Sequence, residues 1–337
     1  MIAHNKPSLG TAEEIAALAV IKSGWVAQGP EVEAFERELC QFFEIPDGHA
    51  LAVSSGSAAL YLALLALNGK GKKIGLPAYA CAALRNAVGL IGGQGVYLDC
   101  GVGSPNLDPS EVDDQMFDIL IAPSIFGIPT HLPNRSNLKI IEDIAQSFGA
   151  VSSGKRIGLR GDIGICSFYA TKIFTSGGHG GALISHDRSV IDWLRDYRQF
   201  DSRDDTNLRF NFQMTDVQAA IGRVQLSKVP DFLERREDIF CEYRASGADM
   251  LDSKDSSDIP ARYRAVIKTP QPNDMIQALH EIGVNAIVPV QDWELLTSPE
   301  NCPRADKLSK MTVSLPIYPT MLDSDVGKIT TLIRSFK

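Results

Sequence analysis

A chain of 337 residues is longer than one hydrophobic core usually supports, so a large domain with a smaller companion is expected. Hydrophobic residues at 44% and charged residues at 22% exclude a disordered or fibrous chain. A net charge of -8 with no long basic block excludes nucleic acid as the expected partner.

The six cysteines form no C-x-x-C pair and the six histidines no H-E-x-x-H spacing, which argues for reduced thiols and against a structural zinc. No basic segment followed by an apolar one opens the chain. Its longest apolar run, Ala58 to Leu67, is about half of a bilayer span, so a cytoplasmic protein with no membrane partner is expected.

In chain order, Thr11 and Glu14 have the form of a capping box, and Ile15, Leu18, Ala19 and Ile21 recur at helical spacing, predicting a helix to about Ser23. After the turn at Gly29-Pro30, Val32, Phe35, Leu39 and Phe42 predict a second helix. From Ala50 onward, short β-branched runs alternate with helical stretches. The predicted strands are Leu51 to Val53, Ile74 to Leu76, Gly95 to Leu98, Ile119 to Ala122, Ile140 to Glu142, Ile163 to Ser167 and Ala182 to Ser185.

That rhythm is α/β: a mainly parallel seven-stranded sheet with helices on both faces, occupying residues 1–230. Residues 231–337 then form a smaller α+β domain, on which the N-terminal segment could pack. Its parts are a charged helix from Phe232 to about Ser246, an exposed polar loop from Asp252 to Asp258, a strand at Tyr263 to Lys268, and helices at Asp274 to Ile282 and Ser324 to Phe336.

Open α/β sheets bind ligands at the carboxyl ends of their strands, so three strand ends carry the chemistry. Ser55-Gly56-Ser57 lies between a strand and a helix, where free N–H groups and the helix dipole suit a phosphate; the same residues would also serve as a plain capped helix start. Asp143 follows the strand Lys139 to Ile141. It could face a pyridinium nitrogen, or simply cap the next helix.

Lys172 follows the strand ending at Ser167 and precedes the glycine-rich Gly177 to Gly181. A lysine withdrawn from water there becomes a nucleophilic amine, although most lysines are surface charges. Phosphate seat, acid and lysine in that order describe a site for pyridoxal 5'-phosphate (PLP).

The residues resemble the DegT-type nucleotide-sugar aminotransferases of fold type I. The resemblance rests on Ser23-Gly24-Trp25 with Gln28-Gly29-Pro30, on Ser55 to Leu60, and on Pro77-Ala78-Tyr79. It continues through Glu142-Asp143-x-Ala145-Gln146, Ser167-Phe168 with Lys172, and Gly180-Gly181.

The resemblance implies that Ser55, Gly56, Ser57 and Ser167 surround the phosphate, Asp143 pairs with the pyridine nitrogen, and Gln146 approaches the ring hydroxyl. Lys172 would join the cofactor as a Schiff base, and Asn211 would reach a phosphate across a homodimer interface. An amino acid donor, glutamate above all, and a nucleotide-linked keto sugar are the implied substrates, in surface-glycan or sugar-metabolite synthesis.

Several positions depart from the family. Cys81 stands where an aromatic ring usually covers the cofactor, Ser124 replaces a common histidine and Gln213 a common arginine, and Ile287 to Val290 lacks a His-Tyr-Pro element. His179 replaces a common glutamate, where it could touch substrate or rest on the backbone. A sugar dehydratase, a carbocycle-forming relative or a noncatalytic regulator are the alternatives; the dehydratases carry histidine in place of Lys172.

Overall fold

A computed structural model of the chain describes residues 1–112, 116–134 and 137–336. Helix α1 (Thr11–Ser23) starts one residue earlier in its capping than Thr11 and Glu14 suggest: the Glu13 carboxylate accepts from the Gly10 N–H at 2.9 Å. Its apolar residues Ile15, Leu18 and Ile21 face outward and are more than 45% exposed, while Val20 is buried. Helix α2 (Pro30–Phe42) buries Val32, Phe35 and Leu39 as its pattern predicts.

The free N–H groups of its first turn are held by Asp216, whose carboxylate accepts from Gly29, Glu31 and Val32 at 2.8–3.2 Å. Strands β1 (Ala50–Val53), β2 (Lys73–Pro77), β3 (Gln94–Leu98), β4 (Ile119–Pro123) and β5 (Lys139–Asp143) alternate with helices α3 (Gly56–Ala66) and α4 (Ala83–Leu90).

A short hairpin, β6 (Val151–Ser152) and β7 (Lys155–Arg156), precedes β8 (Ile163–Ser167) and β9 (Gly181–Ile184). The seven-stranded sheet has the order β1-β9-β8-β5-β4-β2-β3. Its pairs are parallel except for β9, which runs antiparallel to both β1 and β8. Strands β1 and β4 are buried along their whole length, as apolar runs covered on both faces must be.

Helices α5 (Arg188–Arg198), α6 (Asp216–Ser227) and α7 (Val229–Ala245) follow. A second, antiparallel sheet pairs β10 (Ala265–Lys268) with β11 (Thr312–Leu315), accompanied by α8 (Pro272–Glu281), α9 (Pro303–Lys310) and α10 (Asp323–Ser335). A separate apolar cluster around Phe240, Tyr243, Ile267 and Ile329 fills this part. The N-terminal segment joins it: Ile2 bridges Val284, and His4 Nε2 lies 2.9 Å from Ser314 Oγ. Among the described residues no helix is long and apolar enough to cross a membrane.

Candidate active site

Strand direction brings the chemistry to one rim. β5 ends at Asp143 and β8 at Ser167, which lies opposite Gly181 where the reversed β9 begins. Helix α3 starts at the same edge, its Ser55 cap hydroxyl accepting from Ala58 N at 3.1 Å. Glycines make this convergence possible. A Cβ on Gly56 would stand 2.7 Å from Ser167 Cβ, and one on Gly181 would stand 2.4 Å from the Ser55 carbonyl carbon.

A cavity of about 320 Å³ opens there, and Ser55, Gly56, Ser57, Cys81, Asp143, Gln146, Ser167 and Lys172 all line it. Its size is that of a small-ligand site. The N–H groups of Gly56 and Ser57 are in the first turn of α3, where no preceding helical carbonyl can accept them, and the Ser57 and Ser167 side chains sit beside them. This is an anion seat.

Asp143 is 7% exposed. One of its oxygens accepts from Ala145 N at 2.9 Å, and the other has no hydrogen-bond partner among the described residues. Burial raises its pKa above the usual carboxylate range, against the opposing pull of the Ala145 N–H and of Lys172. A shielded acid short of a cation is what a pyridinium ring would complement. Beside it, Glu142 is fully buried and is already paired with Arg160.

Gln146 is oriented by the backbone. Its side-chain oxygen accepts from Phe126 N at 2.9 Å, so its NH₂ group remains to donate into the cavity. Phe126 holds φ at 60°, an uncommon state for a bulky residue, kept here by the tight turn through Gly127. Ser124 Oγ accepts from Thr130 N at 3.0 Å, so the residue replacing the family histidine braces this same turn.

Lys172 is half-buried rather than dry, because the cavity opens past Tyr169 and His179, which are exposed. Its Nζ lies 5.1 Å from the centre of the Tyr263 ring, a cation–π contact contributed by the chain ahead of β10. Burial pushes the Tyr263 phenol up, but Lys172 and Arg264, with Thr171 and Arg236, outweigh it and bring it below the ordinary tyrosine value.

Two further residues hold this arrangement. Asn5 Nδ2 donates to the Thr171 carbonyl at 2.9 Å, next to the lysine. The buried Arg236 donates to the carbonyls of Arg262, Tyr263 and Ile317 at 2.9–3.4 Å. Nothing in the sequence marked these three: Tyr263 reads as the start of a strand and Arg236 as one charge on a polar helix. Tyr263→Leu is expected to lower kcat by roughly 2- to 30-fold, matching a contact of about 0.5–2 kcal/mol, with Tyr263→Phe close to the parent. Steady-state kinetics with melting temperatures recorded alongside check this.

Cys81 lies exposed at the cavity wall, and His179 lines it with its ring 5.3 Å from that of Tyr169. The His179 backbone carbonyl accepts from Ser176 Oγ and Gln218 Nε2, so the backbone is fixed while the imidazole faces the opening. Asn211 is the one expected site residue outside the cavity. It sits on an exposed segment with its side-chain oxygen accepting from Gln213 N at 3.0 Å.

An amine, a shielded acid and an anion seat on one rim of such a sheet are what PLP requires of a protein, so this chain falls in the class of PLP-dependent transferases. It belongs to the DegT/DnrJ/EryC1/StrS aminotransferase family, which matches residues 7–334. Similar proteins include the dTDP-3-amino-3,4,6-trideoxy-alpha-D-glucose transaminase of Streptomyces venezuelae, 29% identical over 96% of this chain and 92% of that protein. The GDP-perosamine synthase of Escherichia coli O157:H7 is 25% identical over 98% and 97%. Among solved structures, Streptomyces venezuelae DesV superposes with a TM-score of 0.88 at 25% identity, covering 96% of this chain and 94% of that one.

Proposed function

We propose that this aminotransferase carries PLP on Lys172 and moves an amino group from an amino acid donor, glutamate first among them, to a nucleotide-linked keto sugar in the cytoplasm. The convergence of Lys172, Asp143, Gln146 and the α3 start on one cavity carries the reading. The dTDP- and GDP-sugar names of its relatives support the substrate class, and six cysteines with no disulfide fit the compartment.

Bound here, the cofactor supplies an aldehyde for amines and a ring that withdraws electrons. Gly56, Ser57 and Ser167 receive its phosphate through N–H and O–H donors. Asp143 would hold a proton at the pyridine nitrogen, and the Gln146 NH₂ group would donate to the ring hydroxyl. Lys172 Nζ would anchor the cofactor and would hold the proton that leaves the donor's α-carbon.

Adding glutamate to the holoenzyme should replace the visible cofactor band with one at shorter wavelength, and a panel of keto nucleotide sugars should restore it. No restoration by any of them would remove the sugar from this reading. Gly56→Ala is expected to weaken cofactor binding by about tenfold or more, since its methyl would push Ser167 out of the seat. Titration followed by absorbance measures it.

The reading includes a homodimer. The exposed apolar face of Ile15, Leu18, Ile21 and Trp25, with Leu208 and Phe210 on the segment bearing Asn211, is the surface a second copy would cover. Asn211 would then serve the partner's phosphate. If so, Lys172→Ala and Asn211→Ala proteins, each impaired alone, regain activity when their subunits are mixed.

A further inference from the structure

The chain around His179 is stitched to the turn that carries Lys172. Phe168 N donates to the Gly180 carbonyl at 2.8 Å and Ala170 N to the Gly178 carbonyl at 3.0 Å, while Lys172 N closes the turn onto the Tyr169 carbonyl at 2.9 Å. These bonds set Tyr169 and His179 side by side at the cavity opening, where both are exposed. Gly178 holds φ at 128°, a state that residues with a side chain rarely adopt, so His179 is the first residue after the glycine pair to bring a side chain to the opening.

Positive charge is sparse here. Among the described residues that line the cavity, Lys172 and His179 are the two that can carry it, and no arginine is present. Asp143 is the acid of the same lining, so an entering anion is repelled from its side and drawn toward the other two. Under the proposed function Lys172 is engaged with the cofactor. The imidazole is the group left over, and its ring nitrogens have no hydrogen-bond partner among the described residues.

Every amino acid donor carries a carboxylate on the carbon that bears its reacting amine, and the carboxylate carbon lies only about 2.5 Å from that nitrogen. A partner for it must therefore stand close to the lysine turn, as His179 does. An imidazole donates an N–H whether neutral or protonated, and protonation adds charge to the bond. The His179 carbonyl is pinned by Ser176 Oγ at 2.9 Å and Gln218 Nε2 at 3.1 Å, so the ring is presented from a fixed backbone.

We infer that His179 binds the α-carboxylate of the amino acid donor. The inference rests on the aminotransferase reading and adds to it the residue that selects α-amino acids over amines whose neighbouring carbon carries no anion. Tyr169, its ring 5.3 Å from the imidazole, supports it from the side. His179 belongs to binding, and the proton transfer stays with Lys172.

The test mixes holoenzyme, parent and variants, with L-glutamate and with its α-methyl ester, which lacks the α-carboxylate charge, and follows the cofactor band by stopped-flow absorbance. His179→Ala should raise the half-saturating glutamate concentration by about tenfold or more, with the limiting rate within about threefold of the parent. His179→Gln, which keeps an uncharged donor, should fall between the two. With the ester, parent and His179→Ala should agree within about threefold, and their cofactor affinities should match. If the parent gives no band change with glutamate, the proposed reaction itself fails. If the parent reacts but His179→Ala saturates at the same glutamate concentration, loses only rate, or loses glutamate and ester equally, the assignment of His179 is overturned.

Discussion

Lys172→Ala is expected to fold and to keep affinity for the cofactor's phosphate, but to lose turnover by roughly 10²- to 10⁴-fold or more. The proposed phosphate seat lies on α3 and β8 and does not depend on the amine, whereas no other lysine among the described residues lines the cavity. Both the anchoring bond and the proton transfer disappear together. Stopped-flow absorbance with glutamate checks the loss, and cofactor titration checks retained binding. Full turnover in this variant would return the protein to an unassigned member of its family.

Asp143→Asn is expected to separate stability from activity. Burial raises the Asp143 pKa in the folded chain, so in cofactor-free protein the folded state holds this proton more tightly than the unfolded one. Stability contributed here therefore falls as pH rises from the unfolded value near ~3.9 through the raised folded value, and the loss is complete above it. Removing the acid removes the loss.

Cofactor-free Asp143→Asn should accordingly melt above its parent at neutral pH, with the gap closing toward about pH 4. With PLP bound the order reverses for function. In the proposed site the ring nitrogen would lose the charge that holds its proton, and turnover should fall about 10²-fold or more. Melting curves across pH and the glutamate half-reaction measure the two effects separately; a lower melting point for the cofactor-free variant at neutral pH would contradict the account of Asp143.

The seven-stranded sheet was legible because each strand is a short β-branched run between turn residues, and the meeting of Ser55 to Ser57, Asp143 and Lys172 at one cavity was legible because each lies at or shortly after the end of such a run. The strand at Thr312–Leu315 was not, since four residues with two hydroxyls carry little apolar signal apart from their pairing with β10. The outward face of α1 shows the limit of periodicity. Its helical spacing predicts the helix, but not whether that face meets its own core or another surface.

What the amino-acid order determined by itself is local: the elements, their succession, and the residues placed at strand ends. The tertiary structure decided everything that depends on distant segments meeting. Tyr263 comes beneath Lys172, Asn5 reaches Thr171, and His131 meets Asp255 and Asp258 only after the chain from the β10 side packs against the turn at Gly127. Backbone propensity acts over a few residues; burial and charge act through space, so such contacts leave no periodic trace in the sequence.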